Sequence, residues 1–303
     1  MFGQKIATLS LSLIMGLYIA TSGTSLAQFI ADVKVEESLA SSLTDHQARL
    51  SNIVGDVKIL RGNSEKWVPV KNDDLLTEGD QIKTSTKSSV DIIYDDSALN
   101  IAHIQENTLA EFRRIEPTTI YLTDGNIFNS LESLPKGQNY EIATETAVSG
   151  VRGTQFLKSH SSSKKSDSLM VSEGSVESFP VLSDGSMANE PIRVEKDQGL
   201  KLGGVLRSEE LKNIKPESLS KENQAEMAKF SKDIDTRLEK SMGGAEMLRE
   251  RRAFAKNLIK KPAFNKKLQE LLKEQDLAML HGDSDREPDD GSLPPTGESQ
   301  SQS

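Results

Sequence analysis

Between Leu50 and Leu202 the chain is cut into short apolar runs, with turn-forming residues roughly every 8 to 15 positions. That spacing has room for short strands but not for long helices. Val90, Ile92 and Tyr94 alternate with Asp91, Ile93 and Asp95, and Leu99 alternates with Ile101. A period of two places alternate side chains on opposite faces of a strand. Gly55-Asp56, Arg61-Gly62-Asn63, Glu78-Gly79-Asp80 and Gln198-Gly199 punctuate the runs. Asp124-Gly125, between Ile120 and Leu122 on one side and Ile127 and Phe128 on the other, reads as a hairpin turn. Glu173-Gly174 reads the same way. Pro69, beside Trp67, Val68 and Val70, marks an edge or a strand end. Residues 159–168, rich in Ser and Lys, read as an exposed loop. The expected fold is mainly β, a sandwich or roll of short strands.

The two ends follow other rules. Lys5 and the amino terminus precede the largely apolar, uncharged stretch Ile6 to Ala20, and Ser25-Leu26-Ala27 offers small residues for cleavage. Residues 1–27 therefore read as a signal peptide, too short in its apolar part for the roughly twenty residues of a membrane-spanning helix. Export to the periplasm or cell envelope is the expectation, with secretion as the alternative. Residues 28–49 form a leader without a strand pattern, and 50–203 the β domain. Gly203-Gly204 opens a helical extension, 204–282, divided by Pro216, Gly243-Gly244 and Pro262. Ser220 is placed to cap a helix that ends near Ser241. Its apolar stripes are too sparse for a self-sufficient bundle, so these helices should dock on the β domain or on a partner. Residues 283–303 are Ser, Gly, Pro and acid, a composition expected to be disordered. Leu293-Pro294-Pro295-Thr296-Gly297 matches the short sortase pattern, but no apolar span and basic tail follow it.

Charge is unevenly spread. Residues 28–203 carry a net charge of −9, residues 204–282 a net of +4, and residues 283–303 a net of −5. An acidic bulk argues against a nucleic-acid binder. The run Arg249 to Lys273 has nine basic residues against Glu250 and Glu270. A solvated helix face that neutralises the acidic β domain outweighs a lipid or partner contact for it. There is no cysteine, so neither disulfides nor a thiolate site can form.

Little points to catalysis. His46, His103, His160 and His281 are scattered and show no metal-ligand spacing. Asp73-Asp74 and Asp95-Asp96 read as turn formers rather than acid–base pairs. The unusual stretch is Thr144 to Leu157, where Arg152 stands between Gly150 and Gly153, ahead of Thr154 and Phe156. Two glycines so close imply a bend or a close backbone approach. The five donors of Arg152 suit a tie to carbonyls or a carboxylate, a structural role that outweighs a ligand contact. Trp67, the single tryptophan, is a core candidate before it is a carbohydrate platform.

The stretch Ala147 to Phe156 resembles the signature of the FecR domain family. Other pieces follow in the expected order. Gly55-Asp56-Val57 is similar to the family's opening Gly-x-Val. Trp67 with Gly79-Asp80-Gln81-Ile82-Lys83-Thr84 is similar to its tryptophan and Gly-Asp-x-Ile-x-Thr. Ile92 to Leu99 resembles its Asp-Gly-Ser segment, with Asp96 where a glycine is usual. Later turns at Gly125, Gly174 and Gly199 complete the set. The resemblance makes Gly150, Arg152, Gly153, Thr154, Trp67, Gly79 and Asp80 the family motif residues. It implies a non-enzymatic exported module, without the cytoplasmic anti-sigma segment of the transcriptional regulators. The expected partner is an envelope protein, in signalling or assembly, with a cell-wall glycan as the alternative. No cofactor, metal or nucleic acid is expected.

Overall fold

A computed structural model of the protein describes residues 48–262 and 266, apart from residues 96–97, 116, 133, 135–138, 152, 205 and 242. The expected signal peptide, Arg152, the end of the basic run and the acidic tail lie outside the described residues. Among the described residues the chain is mainly β, with two helices at its C-terminal side. The first strands are β1 (Ala48–Val54), β2 (Val57–Leu60), β3 (Val68–Pro69), β4 (Leu75–Leu76) and β5 (Asp80–Thr84). Next come β6 (Ser89–Ile93), β7 (Asn100–Ile104), β8 (Leu109–Arg114) and the 14-residue β9 (Thr118–Leu131). The series continues with β10 (Tyr140–Ala143), β11 (Ala147–Val151), β12 (Gln155–Ser161), β13 (Ser166–Glu173) and β14 (Ser175–Pro180). It ends with β15 (Ile192–Glu195), β16 (Gln198–Gly203) and β17 (Glu217–Ser218), before helices α1 (Lys221–Ser241) and α2 (Ala245–Ile259).

Strand pairing resolves this into two ladders that share β9. The first runs β4-β1-β6-β7-β9-β12-β13-β16-β17. The second runs β3-β2-β5-β8-β9-β10-β11-β14-β15. All pairs are antiparallel except β9 with β10. One apolar core draws on both. Leu50, Ile92, Ile104 and Phe156 come from the first ladder, and Ile59, Ile82, Phe112 and Ile142 from the second. Burial alternates along most strands, as period two requires, and each such buried side chain is worth roughly 1.5–3 kcal/mol as an upper bound.

The passages between ladders explain the turn residues. Nine of them contain a residue with positive φ: Gly55, Asp73, Gly79, Lys87, Asn107, Gly153, Gly174 and Asp197 between strands, and Gly125 inside β9. A left-handed residue turns the chain sharply enough to leave one ladder and enter the other. Two readings of the sequence change accordingly. Asp124-Gly125 is not a hairpin. β9 runs through it, pairing with β8 and β10 before the glycine and mainly with β7 and β12 after it. Gly125 has φ 105°, and a Cβ there would stand 2.3 Å from Thr108 Oγ1 and 2.5 Å from Thr108 Cα. Glu173-Gly174 is likewise a corner, because β13 and β14 lie in different ladders.

Residues 159–168 also differ from the expected exposed loop. They belong mostly to β12 and β13, and His160 and Asp167 are buried. Their polar side chains satisfy one another inside the domain, which composition does not reveal. The helices follow their caps more closely. Ser220 Oγ accepts from the Asn223 N–H at 3.2 Å at the start of α1. Gly243 and Gly244, both with positive φ, separate α1 from α2, and the Gly244 N–H donates to the Glu239 carbonyl at 2.7 Å.

Candidate functional site

The outer face of the first ladder is apolar and carries the helices. Because Val90 and Ile92 of β6 point into the core, Asp91 and Ile93 point outward. On β7 the same logic turns Ile101 and His103 outward. Ile101, Phe128 and Leu157 form one buried cluster with Met227, Ile234 and Leu238 of α1 and Leu248 of α2. Ile93, Met170 and Phe230 pack at its margin. Met227, Ile234 and Leu238 lie seven and four residues apart, on one face of α1. The helices therefore dock on the β domain itself, one of the two alternatives open from the sequence.

A charged clasp sits within this apolar seat. Asp91 is fully buried and has four nitrogen atoms within hydrogen-bond reach of its carboxylate. Arg237 of α1 approaches it side-on, with Nε at 3.0 Å from Oδ2 and Nη2 at 3.0 Å from Oδ1. Asn52 Nδ2 donates to Oδ2 at 2.9 Å, and His103 Nδ1 lies 2.6 Å from Oδ1. Asp91 and His103 are direct cross-strand partners, which fixes that pair by register. Burial pushes the Asp91 carboxyl up, but the bonds and charges of His103 and Arg237 outweigh it and hold the pKa below the ordinary value. The Phe230 ring lies 6.5 Å from the His103 ring and 5.6 Å from the Phe128 ring.

A second clasp fixes α2. Arg252 Nη1 lies 2.9 Å from both Glu132 Oε1 and Asp235 Oδ1, and its Nε donates to the Ala98 carbonyl at 3.2 Å. Lys256 also pairs with Glu132. In both clasps the helices supply the cations, and the β domain supplies Asp91 and Glu132. Part of the basic run thus neutralises the acidic β domain, as its charge pattern suggests.

A separate polar cluster is sealed between the ladders. Lys158 and His160 of β12 and Asp167 of β13 turn inward with Ser149 of β11. Lys158 Nζ lies 2.7 Å from Asp167 Oδ2 and 3.2 Å from Ser149 Oγ. His160 Nδ1 lies 2.7 Å from Asp167 Oδ1, and Thr144 Oγ1 donates to Oδ2 at 2.8 Å. Burial pulls the Lys158 pKa down against the pull of Asp167. Burial also pushes Asp167 up, but His160, Lys158 and Thr144 together hold it below the ordinary carboxylate value. His160 Nε2 also lies 3.6 Å from Oε1 of the exposed Glu145, while the buried groups otherwise satisfy one another, the pattern of a structural polar layer. Among the described residues, no cluster of His, Asp and Glu has the arrangement of a metal site.

The motif residues do not converge on one site. Asp80 is buried at the corner entering β5. Its carboxylate receives Arg61 Nη1 at 2.7 Å, the Thr77 N–H at 2.9 Å and the Gly62 N–H at 3.1 Å. Gly79 makes the turn at φ 81°. Gly153 and the buried Thr154 form the corner from β11 to β12, where Gly174 packs against both. Gly150 lies within β11 with neither positive φ nor a close neighbour, so the expected close approach is absent there. Trp67 is half-buried before edge strand β3 and does not join the core expected for it. The clasp residues Asp91, His103 and Arg237 and the inner Lys158, His160 and Asp167 were not singled out from the sequence as site residues. Period two on β6 and β7 could have flagged Asp91 and His103 as sharing a face, but Arg237 lies 146 positions from Asp91.

The motifs agree with comparison to one known family. The family model described as FecR protein matches residues 80–177, which contain Gly79's partner Asp80 and the whole Gly150–Thr154 stretch. The resemblance read from the motifs therefore holds over this interval, while Gly55, Trp67, Gly79 and Gly199 lie beyond it. The chain is also similar to two crystal structures of a candidate anti-sigma factor from Parabacteroides distasonis. One is 13% identical with a TM-score of 0.35, over 46% of this chain and 60% of that one. The other is 16% identical with a TM-score of 0.31, over 40% of this chain and 52% of that one. The chain thus spans little more than half the length of those structures. No curated protein matches the sequence.

Proposed function

We propose that the protein is a non-catalytic, exported FecR-type module that binds a protein partner at the cell envelope, in signalling or assembly. The observation that carries this reading is the difference between the two outer faces of the β domain. The second ladder turns Lys58, Lys83, Glu111 and Arg113 toward solvent, a face suited to water. The first presents Ile101, Phe128 and Leu157 around a buried carboxylate, a face suited to an amphipathic helix. The FecR match supports protein–protein communication as the role of such a face. The N-terminal apolar segment is the ground for export.

The test is affinity capture from envelope extracts with the chain beginning at Gln28. A discrete protein, recovered by the wild-type chain and lost when the apolar face is altered by Phe128→Asp, supports the reading. Recovery of sacculus fragments without protein would favour a cell-wall glycan ligand instead.

A further inference from the structure

We infer that the outer face of the first ladder is a receptor for an arginine-bearing amphipathic helix of a partner protein, and that α1 and α2 are a displaceable strap occupying it in cis. This rests on the partner-binding reading above and specifies the chemistry of the partner.

Three observations lead here. First, the strap is seated lightly. Of the 21 residues of α1, only Met227, Ile234 and Leu238 are buried. A polar cleft of about 650 Å³ undercuts its flank, lined by Gln224, Ser231 and Lys232 of α1 and by Ser172, Lys196 and Asp197 of the β domain. A second groove, of about 670 Å³, runs beneath the segment that leads into α1, between Asn213 and Asn223 on one side and Met170 and Lys201 on the other. Second, the strap starts just past the last tie to the sheet. β17 pairs with β16 and the Leu219 N–H donates to the Asp197 carbonyl at 2.8 Å, so α1 can lift from Ser220 onward while the linker before it stays in place. Third, the face selects its occupant. Asp91 lies at the base of an apolar surface with no exposure of its own. Any helix that covers it without a cation leaves a buried carboxylate short of its strongest partner. Arg237 meets it with two nitrogens, a geometry that lysine does not reproduce. The helix that fits carries an arginine directly before an apolar anchor, with further anchors three and ten residues earlier, as Arg237 stands to Leu238, Ile234 and Met227.

The charge pattern supports a partner with the same polarity. Every clasp sets a helix cation against an acid of the β domain, Arg237 on Asp91 and Arg252 and Lys256 on Glu132. A basic amphipathic helix meets complementary charge at both places. An acidic one is repelled.

The experiment measures binding of a fluorescein-labelled synthetic peptide of residues 221–241 to the full chain by fluorescence anisotropy. The wild-type chain, whose own strap fills the face, should bind it weakly. The full chain with Arg237→Ala should bind it at least about tenfold more tightly, because the cis occupant has lost its clasp. A peptide carrying Arg237→Ala should bind that chain at least about tenfold more weakly than the unaltered peptide. The full chain with Met227→Ser loosens the strap without touching Asp91 and should show the same pattern, so misfolding of one variant does not decide the matter. Equal binding by the two peptides, or no binding to either variant, overturns the inference. A dimer that forms with concentration in sedimentation velocity would make the occupant a second copy of the chain and would also overturn it. Capture of an envelope partner together with failure of the peptide removes this inference and leaves the partner-binding reading in place.

Discussion

Replacing Lys158 with Met isolates the sealed polar layer. The side chains of Lys158 and Asp167 are 1% and 2% exposed and lie 2.7 Å apart. The substitution keeps most of the side-chain volume and removes the charge. Asp167 then retains His160 and Thr144 but has no permanent cation beside it. Breaking one member of a buried pair typically costs about 3–5 kcal/mol. With two donors left, the lower end applies, roughly 3 kcal/mol. For a domain of this size, 1 kcal/mol lowers Tm by roughly 2–4 °C, so a fall of about 6–12 °C is expected. Differential scanning calorimetry at pH 7 measures it directly. Lys158→Met with Asp167→Leu removes both charges and should recover most of the loss, because a buried pair replaced by apolar groups is often neutral. A single variant within about 1 kcal/mol of wild type, or a double variant worse than the single, would refute the account of this layer.

Further outcomes follow from the corners and the titrating groups. Gly125→Ala should destabilise the domain by more than about 2 kcal/mol in urea unfolding, since it meets both a left-handed φ and the Thr108 backbone at 2.5 Å. Within the FecR motif, Gly153→Ala at φ 62° should cost about 1 kcal/mol, whereas Gly150→Ala, in open space within β11, should be neutral or stabilising by a few tenths. Asp91 and Asp167 both have pKa values lowered in the folded state, so their stabilisation is complete above the ordinary carboxylate pKa of about 4. It is lost as pH falls through their lowered values. Thermal scans from pH 7 to pH 2 should show Tm dropping below about pH 4, with a shallower drop in Asp167→Asn.

Much of this fold is legible in the sequence because its corners need unusual backbone. Gly55, Gly79, Gly153 and Gly174 announce four passages between ladders, and Ser220 with Gly243-Gly244 announces the ends of α1. Four further passages use Asp73, Lys87, Asn107 and Asp197, which occur in any polar turn and carry no comparable signal. Asp124-Gly125 misleads for a related reason. The same left-handed glycine that closes a hairpin can let one strand change ladders, and only the flanking pairs decide between them. The site is less legible than the fold. Residues 159–168 read as solvent-exposed from their composition, yet His160 and Asp167 satisfy each other across β12 and β13. The clasp on Asp91 joins a strand to a helix far along the chain, and no local pattern couples them. The motif residues that stand out in the sequence, Gly79, Asp80, Gly153 and Thr154, build corners. The face offered to a helix is built from ordinary alternation.

The claim at the centre of this account is that Arg237 on Asp91 holds α1 against the first ladder. Hydrogen–deuterium exchange on the full chain, wild type against Arg237→Ala, tests it most directly. The account predicts that amides of α1 exchange at least about tenfold faster in the variant, while β9 and β12 keep their protection. Unchanged protection across α1 would contradict it.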